Sequence, residues 1–196
     1  MLGKAELKAA IAGKNRGLLA SETDRLAIAS AIAKLEDRNP HSRPLEEPEL
    51  LDGDWRLLYT TSQDLLGLDG FPLVKLGNIY QCVRTAESAI YNLAEVSSLP
   101  YCEALVAVAA RFEPVSARRV NVRFSRAVFG LQRLLDYRSP GQFIARLTAQ
   151  DRLSWLQGID FGINADRQQG WLDITYLDAD LRIGRGNQGS LFVLTK

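Results

Sequence analysis

Hydrophobic positions along this chain change their period once, at Gly53. Before that point apolar residues recur at helical spacing. Leu7 and Ile11 stand four apart within residues 4–12, a run of strong helix formers. Gly13 and Gly17 bracket a break. Ser21 then offers an N-cap, and Asp24 places a carboxylate where the helix dipole favours one. Ile28, Ile32 and Leu35 supply one apolar face, and Asn39-Pro40 stops the helix. These two helices need another surface on which to bury those faces.

From Gly53 onward the period is two. Residues 53–62 read as a strand that starts abruptly after a turn, and further strands are predicted over 77–84, 89–96, 104–113 and 118–127. In the fourth, Val106, Val108, Ala110 and Phe112 share a face; in the fifth, Val120, Val122 and Phe124 alternate with polar residues. Turn signals at this spacing predict an antiparallel meander rather than βαβ units. Residues 66–72 are glycine-rich and apolar at once, as in a loop. Residues 128–169 have no clear period, except that Ser139-Pro140 predicts the start of a short helix or lid with Phe143, Ile144 and Leu147 on its apolar side. Trp171, Ile174 and Tyr176 restart strand structure, and residues 191–194 form the last strand. Seven to nine strands suit a barrel of about eight, a size that can hold one small ligand. The expected organisation is a helical segment over 1–40, an extended proline-rich linker over 41–52, and a β-barrel over 53–196.

Composition narrows the function classes. Hydrophobic residues make up 46% and charged residues 24% of the 196, as in an ordinary globular protein. Lys+Arg 24 against Asp+Glu 23 leaves +1, which points away from a nucleic-acid partner. The densest basic run, Arg118, Arg119, Arg123 and Arg126, reads as the solvated side of a strand. No apolar run approaches the roughly 18–20 residues that span a bilayer, and residues 1–20 lack the apolar core of a secretory signal. The expectation is therefore no transmembrane segment and no signal peptide. Cys82 and Cys102 are read most simply as reduced, buried thiols, with a disulfide open if strands place them opposite each other.

Catalytic constellations lack their parts. His41 is the one histidine and falls in the proline-rich stretch, so triad and multi-histidine metal chemistry are not expected, and no cofactor is. Asp178 and Asp180 with Arg182 and Arg185 read as charge pairing at a barrel rim rather than as an acid–base cluster. Residues 184–189 match G-x-G-x-x-G, but that fingerprint needs a following helix and parallel strand. Apolar, strand-like residues follow instead, and the glycines suit a tight turn. Asp160-Phe161-Gly162 matches a kinase triplet without the rest of that signature set.

Gly53-Asp54-Trp55 resembles the G-x-W of the first strand in lipocalin-type barrels. That resemblance implies an arginine from the last strands packed over the Trp55 face, with Arg185 expected before Arg182 because it lies nearer the final turn. The wider pattern is similar to the plastid lipid-associated protein family, also called fibrillins, in a cyanobacterial-type member. It rests on Asn15-Arg16-Gly17, on residues 35–40 (LEDRNP), on residues 51–62 (LDGDWRLLYTTS), and on the closing run 176–194. The resemblance implies a lipocalin-like, non-enzymatic protein peripheral to thylakoids, on their cytoplasmic side, or to lipid droplets. It further implies a link to carotenoid and prenylquinone handling and to photoprotection.

An apolar isoprenoid would then sit among Trp55, Tyr59, Val108, Phe112, Val122, Phe124 and Tyr176 in the barrel interior. Gln81, Asn92 or Arg185 would orient a quinone or hydroxyl head. Burying roughly 300 Å² of ligand yields about 7–8 kcal/mol, against an association cost of about 4–15 kcal/mol, so useful affinity needs a preformed, dry cavity or a longer buried tail. The alternative is a barrel filled by its own aromatics. The protein would then dock on a membrane surface or a prenyl-lipid biosynthetic enzyme through its helices at 4–38 or the apolar loop at 66–73.

Overall fold

A computed structural model describes residues 3–62, 75–97, 103–150, 152–163 and 169–196. Nine strands carry the fold: β1 (Gly53–Thr60), β2 (Lys75–Arg84), β3 (Ala89–Ser97), β4 (Ala104–Pro114), β5 (Arg119–Leu131), β6 (Ile159–Gly162), β7 (Gln169–Leu177), β8 (Leu181–Gly186) and β9 (Leu191–Thr195). All neighbours are antiparallel. The order β4-β3-β2-β1-β9-β8-β7-β5 closes through β5 pairing with β4, which makes a barrel of eight strands with β6 added on β5. The closed mainly-β barrel expected from the period-two pattern is what the chain forms. Among the described residues four α-helices accompany it: α1 (Lys4–Ile11), α2 (Glu22–Glu36), α3 (Pro48–Leu51) and α4 (Pro140–Ala149). No helix among the described residues is long and apolar enough to cross a membrane.

Both faces of the barrel wall are apolar, because helices cover two sectors of its outside. Leu7 and Ile11 of α1 and Ile28, Ile32 and Leu35 of α2 pack on Tyr59, Tyr176, Leu181, Ile183 and Val193. Ser21 caps α2 reciprocally with Asp24, as its position predicts. The turn between the helices is itself bound to the barrel. Arg16 donates to the carbonyls of Leu76 and Gly77 (2.9 Å each), and a Cβ on Gly17 (φ 114°) would stand 2.4 Å from the Thr60 carbonyl oxygen. On the other side Phe143, Ile144 and Leu147 of α4 pack with Leu135 and Leu153 on Leu93, Leu105, Ala107 and Val128.

The stretch 41–52 is not an extended linker. Residues Pro44–Glu46 form a 3-10 turn and α3 follows it, with the prolines at helical N-termini where their missing N–H costs nothing. Leu45, Leu50 and Leu51 pack against the inner cluster of the barrel and stop its lower end.

Candidate functional site

The barrel has a closed floor, and described side chains that face inward toward its other end are partly exposed. At the floor Trp55 is completely buried and its indole N–H donates to the Leu51 carbonyl (2.9 Å). The Arg182 guanidinium stands 5.0 Å from the ring centroid, and Lys196 Nζ 4.7 Å. Leu45 and Leu51 meet Val83, Ile90, Phe112, Val120, Leu172, Ile174 and Arg182 around a void of about 10 Å³, room for about one water.

Arg182 is 2% exposed, and burial pushes its guanidinium below the usual arginine range. It has no ion pair among the described residues. Instead it donates to the Gln81 side-chain oxygen, and the Gln81 amide N–H donates to Asn92 Oδ1 (3.1 Å). A polar chain therefore crosses the interior just above Trp55, Gln81 being its cross-strand partner.

Above this chain the interior is apolar and incompletely covered. Val96, Val106, Phe124 and Phe192 pack against the inner cluster yet are only partly buried. Gln81, Asn92 and Val108 are likewise intermediate in exposure, and Val108 lies directly opposite Asn92. These inward-facing side chains lie toward the end of the barrel away from Trp55. That end is where β5 leaves β7: β5 pairs with β7 through Arg123 and with β6 from Arg126. A separate recess of about 440 Å³ lies outside the barrel, but Lys8, Arg16, Arg56 and Lys196 line it, which suits no apolar guest.

Seven of the residues expected in the interior converge there: Trp55, Gln81, Asn92, Val108, Phe112, Val122 and Phe124. Tyr59, Tyr176 and Arg185 do not. The register of β1 on β9 jumps from Leu57–Leu194 to Tyr59–Val193, so Leu58 is an extra residue and Tyr59 turns outward onto the helices. The register of β7 on β8 jumps from Ile174–Gly184 to Tyr176–Ile183, with the same result for Tyr176. Asn39 clamps this second bulge, donating to the Thr175 carbonyl (3.0 Å) and accepting from the Leu177 N–H (3.2 Å).

Arg185 also faces outward and forms a two-armed pair with Glu36 of α2 (2.9 and 2.7 Å). The arginine over Trp55 is therefore Arg182 and not Arg185. Arg182, Gly184 and Gly186 occupy the inward positions of β8, where added Cβ atoms on the glycines would press on Leu172 and Phe192.

Asp178 and Asp180 lie in the β7–β8 turn and bind α1. Lys4 bridges both, at 2.8 Å to Asp178. Asp178 also accepts from the Tyr176 hydroxyl (2.6 Å) and from the N–H groups of Asp180 and Leu181. Burial pushes this carboxyl up, but the Lys4, Tyr176 and backbone hydrogen bonds outweigh it and hold the group down at about 2. Cys82 is a free, buried thiol whose pKa burial pushes up, and so it is inert. Cys102 and the loop at 66–73 lie outside the described residues.

A family model described as PAP_fibrillin matches residues 1–195. Among curated proteins, the chain is 33% identical to plastid lipid-associated protein 1, chloroplastic, of Brassica campestris, over 98% of this chain and 66% of that one. It is 35% identical to the chromoplast-specific carotenoid-associated protein of Cucumis sativus, over 94% and 64%. To plastoglobulin-1, chloroplastic, of Pisum sativum it is 33% identical, over 98% and 60%. The chain spans about two thirds of the length of these relatives. No solved structure matches it.

Proposed function

This chain belongs to the PAP_fibrillin family, and on that premise we propose that it is a non-enzymatic carrier of an apolar isoprenoid lipid of the carotenoid or prenylquinone type. It would work peripherally at thylakoids or lipid droplets, in lipid handling or photoprotection. One observation carries the reading: the upper half of the barrel is lined by apolar side chains that face inward and remain partly accessible, above a floor that is closed. The names of relatives, lipid-associated and carotenoid-associated, agree with a lipid guest. The Gln81–Asn92 pair is the polar group that a quinone carbonyl or hydroxyl would meet at the bottom of such a cavity.

Trp55 lies just below that pair and reports on occupancy. In a Trp155→Phe/Trp171→Phe background, titration with a prenylquinone in mild detergent is expected to quench Trp55 saturably at one ligand per chain. Val108→Trp, which places an indole beside Asn92, is expected to shield Trp55 from the quinone when its own emission is subtracted. Absence of saturable quenching in the parent protein sinks the carrier reading.

A further inference from the structure

The largest exposed apolar side chains beside the barrel mouth come from one stretch. Trp155 is 85%, Leu156 64%, Ile159 63%, Phe161 52% and Phe129 47% exposed, with Leu131 and Leu134 alongside. Phe129 lies opposite Ile159 across β5–β6, and Ala127 opposite Phe161, so these side chains share one face. Phe129 is also opposite Val106 of β4, whose side chain belongs to the barrel's inner cluster. The exposed face is therefore continuous with the inner wall at the mouth.

This face is held in place rather than left loose. Arg126 makes a two-armed pair with Asp160 (2.9 and 2.6 Å), and the Leu153 N–H donates to the same carboxylate (2.8 Å). The Asp160 side chain is 5% exposed, and the Arg126 hydrogen bond keeps its carboxyl below the usual range. The turn at 154–157 sits so close to β5 that a Cβ on Gly158 would stand 2.6 Å from the Phe129 carbonyl oxygen. A buried ion pair and a glycine approach together present an apolar surface to the outside.

We infer that the rim formed by the end of β5, the turn 154–157 and β6 inserts into a lipid surface carrying anionic headgroups, so that the barrel mouth opens directly onto it. Trp155 and Leu156 at the turn have the character of interfacial anchors, since an indole combines an apolar body with one polar N–H. Charge favours an anionic surface over a second copy of the chain. The described carboxylates of the stretch, Asp136 and Asp160, are paired with Arg138 and Arg126, while Arg133 and Arg152 beside the rim are exposed and make no ion pair among the described residues. The N-terminal helices and the turn between them bury Leu7, Ile11, Ile28, Ile32 and Leu35 on the barrel and expose only the isolated Leu19 and Leu26 among their described large apolar residues. The inference deepens the carrier reading by naming the surface across which the lipid would enter and leave.

The test is flotation of the full chain with phosphatidylcholine vesicles, with and without phosphatidylglycerol. The chain is expected to float best with phosphatidylglycerol, less so at high salt, and brominated acyl chains should quench its emission. Trp155→Ser/Leu156→Ser should lower partitioning about tenfold or more, and Trp155→Phe should remove the bromine quenching but not flotation. Asp160→Asn, which releases the support of the rim, should weaken flotation with the exposed residues intact. Equal flotation of parent and double variant overturns the inference, as does a parent chain that does not float. A parent dimer in sedimentation that the double variant dissolves also overturns it, assigning the rim to a second copy. Prenylquinone quenching of Trp55 in detergent is read separately: its absence with rim-dependent flotation intact defeats the carrier reading alone.

Discussion

Trp55 is packed by the floor helix, by Arg182 and by Lys196, so its side chain joins three parts of the chain at one point. Trp55→Ala leaves a cavity that the closed floor cannot collapse into, and a loss of about 3–5 kcal/mol in urea denaturation is expected. Arg182 differs, because its burial opposes its charge and no carboxylate among the described residues pairs with it. Arg182→Met keeps most of the volume and removes the desolvation penalty, so it should cost less than about 2 kcal/mol despite losing the ring contact. A larger loss for Arg182→Met than for Trp55→Ala would contradict this account of the floor. The tryptophan was legible from Gly53-Asp54-Trp55, but its partner was not. Leu181 and Ile183 look like inward residues, and only the helices covering the outside make them outward ones. Tyr59 and Tyr176 were misplaced for a related reason: each lies just past a bulge, and one extra residue reverses every later side chain.

The element whose attachment is most sensitive to conditions is α1. Lys4 and Asp178 tie it to the β7–β8 turn, and the folded-state pKa of Asp178 is depressed to about 2. A depressed carboxyl contributes stability above its unfolded value of about 4 and loses it as pH falls through the folded value. Lys4 has the opposite sense: burial lowers its pKa, yet hydrogen bonds to Asp178 and Asp180 raise it on balance, so its contribution is lost above about pH 10.5. Denaturation midpoints should therefore drop between about pH 4 and pH 2, and Asp178→Asn should flatten that drop while lowering stability at pH 7. An unchanged acid profile in Asp178→Asn would rule the pair out as its cause. Helix α2 was legible because capping and spacing agree, and α1 from its strong helix formers and the Leu7–Ile11 spacing. The turn and helix of 44–51 were hidden by prolines that resemble a linker. Strand β6 was hidden because Ile159 and Phe161 are exposed to solvent, leaving no buried apolar period to read.

At the scale of the molecule, two helical layers stiffen the outside of the barrel, the 44–51 segment closes one end, and a supported apolar rim borders the other. A polar layer at Gln81, Asn92 and Arg182 divides a packed floor from an accessible upper interior. This arrangement suits an apolar guest that enters past the rim and stops at the amide pair. The most direct measurement is mass spectrometry of lipids extracted from the protein after purification from cells that make carotenoids and prenylquinones. About one isoprenoid per chain is expected, falling to background in Val108→Trp. Extracts of the parent protein with no isoprenoid above that variant's background would contradict the account.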